Sequence, residues 1–229
     1  MEIAGTVVDA LLLLRILQLK LQRTYLWITL AAVLTLLLDA VTLWYGSESQ
    51  EISRVFIFSR FLWAFVFPAA AYDVWEELKT QVARIRRFAI FRLVASLVLA
   101  AILGLIIAAA AGAEESNGDA LLDTFAVILW AATSTASLAF LWSMNRLVRA
   151  AKIEVQGNTS VWLLFYQLSL AAEVVTCFLI IIGQRFTEFV STAIDVSLGL
   201  YSILITLWCI WKLRAHTSNV PSEPEKSLL

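Results

Sequence analysis

The sequence predicts an all-α, polytopic integral membrane protein of seven transmembrane helices, with the N-terminus outside and the C-terminus in the cytoplasm. Three observations predict it. The chain is 61% hydrophobic and 15% charged with a mean hydropathy of +0.83, whereas soluble domains are roughly 45–50% apolar. Its apolar residues gather into seven runs. Its Lys and Arg residues then fall, loop by loop, on alternate sides of those runs.

Runs of about 17–25 apolar residues can cross a ~30 Å hydrocarbon core as helix. They lie at about 3–19, 25–45, 52–74, 89–111, 121–145, 161–182 and 191–211. Residues 1–216 thus form one transmembrane domain. The tail 217–229, with Pro221, Pro224 and interspersed polar residues, reads as a disordered cytoplasmic end. The first run is short and carries Asp9 and Arg15. With Glu2 in place of a basic leader and no small-x-small cleavage site, it is expected to be retained. If it lay on the surface instead of crossing, the N-terminus would be cytoplasmic.

Orientation follows from the basic residues, because Lys- and Arg-rich loops stay cytoplasmic. The segments after the first, third, fifth and seventh runs hold thirteen of the seventeen, among them Lys20, Arg84, Arg86, Arg87, Arg149, Lys152 and Lys212. The opposite loops contain Arg54 and Arg185 among Glu48, Glu51, Glu114, Glu115, Asp119 and Asp123. This composition predicts a protein of the plasma or inner membrane, with the lipid bilayer as its first partner and no nucleic-acid partner. Interfacial aromatics fit the same orientation. Tyr25, Trp27, Tyr72, Trp75, Trp142, Trp162, Trp208 and Trp211 fall at cytoplasmic ends, and Trp44 and Tyr45 at an outer one.

Two polar patterns point to packing. Ala100, Gly104, Ala108 and Gly112 form a stripe of small residues that lets another helix approach closely. Thr133, Ser134, Thr135 and Ser137 offer a partner surface whose hydroxyls can bond back to their own helix. Asn158-Thr159-Ser160 matches a glycosylation sequon, but its loop is predicted cytoplasmic, so capping of the sixth helix is the expected use. Cys177 and Cys209, in different runs near opposite faces, are expected to be buried packing residues.

Ionisable residues inside spans are costly and mark functional candidates. Asp9, Asp39, Arg60, Glu173 and Asp195 fall in one layer from the midplane to the outer third. Asp39 sits in TLLLDAVT and Glu173 in SLAAEVVT, each with a hydroxyl residue four before and Thr three after. These offsets put the polar groups on one helix face. The matching octamers suggest two parallel three-helix repeats joined by the fourth helix, a symmetry some transporters have. One arginine cannot neutralise four carboxylates, so Asp39, Glu173, Arg60 and Asp195 are the candidate ligand-binding residues for a small cationic solute or a proton. Trp63, Trp130 and Tyr201 can wall the site.

Several chemistries find no residues. All five lysines lie in loops, at helix ends or in the tail, which removes a retinal Schiff base, and the single histidine, His216, cannot supply a paired haem ligand. No HExxH, GxSxG or P-loop occurs, so no enzyme, cofactor or metal is predicted. The three-plus-one-plus-three layout resembles the sugar-exporting and PQ-loop transporters at the level of fold, although their Pro-Gln signature is absent and the sole proline within a span is Pro68. The expected function is solute or ion transport or sensing. The rival expectation is a non-catalytic scaffold or accessory subunit bound to other membrane subunits.

Overall fold

The computed structural model describes residues 2–45, 50–78, 118–150, 157–182 and 188–214, with isolated positions 91, 94, 95, 97, 98, 102, 152 and 155. Among the described residues all regular structure is helical. The helices are α1 (Glu2–Gln18), α2 (Leu26–Tyr45), α3 (Gln50–Leu78), α4 (Gly118–Ala150), α5 (Gly157–Ile182) and α6 (Glu188–Lys212), with a 3-10 turn at Leu21–Arg23. Each grows from an apolar run, and α3 extends past its run through the largely buried stretch from Asp73 to Leu78. α1 is the shortest at 17 residues, ~26 Å of helix, less than the core of a bilayer. Of the expected 89–111 span, only six positions are described; all are helical, and Leu97 packs on the core. The Ala100 to Gly112 stripe, the Arg84 to Arg87 loop and the tail 217–229 lie outside the described residues.

The six helices form a ring. α1 packs on α2, α2 on α3, α3 on α4, α4 on α5, α5 on α6 and α6 on α1, with a further contact between α3 and α5. Directions can be read from side-chain pairs. Phe61 meets Phe125 at 5.9 Å and Trp75 meets Phe140 at 6.2 Å, so α3 and α4 run parallel. Arg15 meets Leu213 while Gly5 and Gly199 line one cavity, so α1 and α6 are parallel too. The other neighbours are antiparallel.

One end of this ring is closed. It is the end where α1, α3, α4 and α6 finish and α2 and α5 begin. The buried core gathers there around Ile16, Tyr25, Trp75, Leu141, Trp162 and Leu213. Tyr25, Trp75 and Trp162 were expected at the cytoplasmic headgroup level; they are 0–1% exposed and turn inward. The rings interlock, Tyr25 on Trp162 at 6.0 Å and Trp162 on Phe165 and Tyr166 at 5.7 and 6.3 Å. Trp27, Tyr72, Trp142 and Trp211 do face outward, as do Trp44 and Tyr45 at the other end.

Helix termini cross-link this floor. Asp73 Oδ2 of α3 accepts the amides of Trp27 and Ile28 at 2.6 and 3.0 Å, capping α2 from another helix. Arg15 donates to the Leu213 carbonyl at 3.0 Å. Asn158 does not cap its own helix as expected. Its amide spans the end of α6, donating to the Arg214 carbonyl at 2.8 Å and accepting the Arg214 amide at 3.0 Å. Two non-glycine residues, Lys20 (φ 54°) and Lys152 (φ 50°), take the left-handed conformation just past α1 and α4. That geometry satisfies the last carbonyls of a helix and normally falls to Gly.

The outside of the ring is apolar. Phe58, Leu62 and Phe65 on α3, Leu37 on α2, and Leu204 and Trp211 on α6 are half to three-quarters exposed. A soluble bundle would bury such a girdle; lipid covers it at no cost.

Candidate functional site

Above the floor, the described residues of the ring line three neighbouring, partly open cavities of about 410, 300 and 270 Å³. Ser202 of α6 lines all three, Asp9, Asp39 and Thr206 line the second and third, and Trp63, Ser169 and Glu173 the first and second. Together they cross the bundle from the α3–α4–α5 side to the seam between α1 and α6. Counted from the upper helix ends at ~1.5 Å per residue, Asp39 and Asp9 lie ~9–10 Å deep and Glu173 and Arg60 ~14–15 Å deep. The acids and the arginine therefore share one layer.

Each candidate residue has a definite place. Asp39 projects from α2 and Glu173 from α5 into the same central cavity, where Asp9 of α1 joins them. Arg60 of α3 lines the largest cavity with Glu173, Trp63, Trp130 and Tyr201. Asp195 lies on α6, and its side chain is outside the described residues.

The threonines beside the acids have a directional role that the octamers did not reveal. Thr35 donates its hydroxyl proton to the Ala31 carbonyl at 3.1 Å, Thr176 to Ala172 at 3.0 Å and Thr206 to Ser202 at 2.9 Å. A hydroxyl whose proton is committed to its own helix presents only lone pairs to the cavity. Thr35, Thr176 and Thr206 thus act as acceptors beside carboxylates that are acceptors as well. On α4, Thr133 and Thr135 also bond back to their helix, at 2.9 and 2.7 Å. Cys177 and Cys209 are free and buried.

Asp73 carries a role that sequence reading missed. Its signal was a lone acid at the end of an apolar run, which resembles any helix end facing water. Its burial and two amide contacts make it a structural cap. Tyr25 was read as an interfacial ring; its hydroxyl instead meets Thr159 Oγ1 at 3.1 Å inside the floor.

Ring, girdle and site define a class: a polytopic helical membrane protein with a polar interior. Five of its helical stretches, Leu26–Tyr45, Ile57–Leu78, Phe125–Ala150, Gly157–Cys177 and Thr192–Lys212, are long and apolar enough to cross a bilayer. No family model, curated protein or solved structure matches the chain.

Proposed function

We propose that the chain is a seven-span protein of the plasma or inner membrane, with its N-terminus outside, that binds a small cationic solute or a proton in its central cavity as a transporter or sensor. The observation that carries this is the cavity itself: Asp9, Asp39 and Glu173 line one space above a packed aromatic floor. Acids placed in a membrane interior mark ion and substrate paths. The parallel course of α3 and α4 supports the seventh span, since residues 79–117 must return the chain from the floor to the upper end. The two left-handed lysines each fall two residues past the first helix of a half, a likeness in helix ending, although they stand 132 residues apart and not the 134 that separate Asp39 from Glu173.

The test is a set of unfolding midpoints in detergent for the wild type and Glu173→Gln, across pH and in the presence of Na⁺, K⁺ and primary amines. The reading expects at least one cation, the proton included, to stabilise the wild type and not the variant. It fails if none distinguishes the two.

A second reading, a scaffold or accessory subunit, is favoured by one observation: α2 and α5 run past Asp39 and Glu173 without an internal Pro or Gly, whereas transporter sites commonly use broken helices. That reading expects stoichiometric co-purifying membrane subunits.

A further inference from the structure

The proposed cation site has a lining that narrows its ligand. In the central cavity of about 300 Å³ every charged group is an acid, Asp9, Asp39 or Glu173. Two flanking threonines, Thr35 and Thr206, have turned their protons onto backbone carbonyls. The upper wall is therefore rich in acceptors, with the hydroxyls of Ser169 and Ser202 able to donate or accept beside them. Below it the wall changes character to Phe67, Phe165 and the indole of Trp63, which is stacked on Phe67 at 4.9 Å.

A proton needs no such volume. A metal ion needs several oxygens converging on one point, whereas these acceptors come from α1, α2, α5 and α6 around the wall, and among the described residues no three acidic or other metal-ligating side chains gather. A protonated primary amine fits both halves. Its three N–H donors match carboxylate and hydroxyl acceptors spread around it, its charge compensates the acids, and its apolar body meets aromatic faces that also attract cations. The size is that of a small-molecule pocket.

We infer that the central cavity binds a primary ammonium bearing an apolar body, the ammonium seated in the acid-lined half against the Glu173 carboxylate and neighbouring hydroxyl oxygens, and the body against Trp63, Phe67 and Phe165. This rests on the reading of the cavity as a cation site. The third cavity, where Gly5 and Gly199 flank Asp9 and Asp39, opens the same acids toward the seam between α1 and α6. A Cβ at Gly5 would meet nothing within 4 Å. An amine with an apolar tail can thus approach from the bilayer.

The experiment is equilibrium binding to the full chain in nanodiscs at neutral pH, read by tryptophan fluorescence and by the unfolding midpoint. The probes are hexylammonium, ammonium, Na⁺, hexanoate and hexanol. Saturable binding of hexylammonium is expected, with ammonium, hexanoate and hexanol at least tenfold weaker. Glu173→Gln should lose at least tenfold in hexylammonium affinity. Trp63→Leu, which keeps every charge, should lose severalfold and quench less. Both variants are first checked for a cooperative unfolding transition, and if one fails it the other decides. Equal response to hexanol and hexylammonium overturns the inference as partition into the disc. A response to protons or Na⁺ that Glu173→Gln abolishes, without saturable hexylammonium binding, overturns it while leaving the cation-site reading intact.

Discussion

Tyr25 and Thr159 share a hydrogen bond of 3.1 Å across the floor, and the 134 residues that separate them in sequence equal the separation of Asp39 from Glu173. Under the proposed repeat, Tyr25 and Thr159 are corresponding residues of the two halves. Corresponding residues can touch only on the axis that relates them. On that proposal the bond would mark where the axis passes through the floor, beneath the cavity into which Asp39 and Glu173 project.

Tyr25→Phe should cost about 1 kcal/mol, the net worth of a typical buried hydrogen bond. Thr159→Val alone should cost a similar amount, and the double variant little more than either. A double-mutant cycle on the unfolding free energies checks this.

Asp73→Ala should lower stability by about 1–2 kcal/mol, the range for loss of a helix cap. Asp73→Asn keeps an acceptor oxygen and should cost less. Hydrogen exchange offers a site-specific check, because the freed amides of Trp27 and Ile28 should exchange faster than those further along α2. Unchanged exchange there would show that the cap contributes nothing.

Lys20→Gly and Lys152→Gly should each stabilise the protein by about 0.5–1 kcal/mol, because glycine adopts the left-handed region without a Cβ penalty. Elsewhere on the surface the same change should be neutral or harmful. Unfolding midpoints of the two single variants and of an exposed mid-helix control decide it.

The proposed topology makes Lys152→Cys cytoplasmic and Tyr45→Cys external. In intact cells a membrane-impermeant thiol reagent should label the second and leave the first until the membrane is permeabilised. The opposite pattern would reverse the orientation.

The helices were readable from sequence because apolar runs of the right length leave few alternatives inside a bilayer. Which face of each helix looks inward was not. Leu37 is 59% exposed and Leu170 is fully buried, yet both are leucines in apolar runs, because lipid and protein core are equally apolar. Polar residues broke that degeneracy at the cavity level, where charge density alone pointed to Asp39, Glu173 and Arg60. At the floor, the residues that join α2 to α3 and α5 to α6 are far apart in sequence, and no periodicity couples Asp73 to Trp27 or Asn158 to Arg214.

The crossed caps also order the birth of the protein at the ribosome. The leading amides of α2 wait for Asp73, so that helix gains its cap only once α3 has been made and the two can settle as a hairpin. The carbonyls of Leu213 and Arg214, just past α6, are taken by Arg15 and Asn158, residues synthesised long before them. The seam between α1 and α6 can thus lock only after α6 has been made.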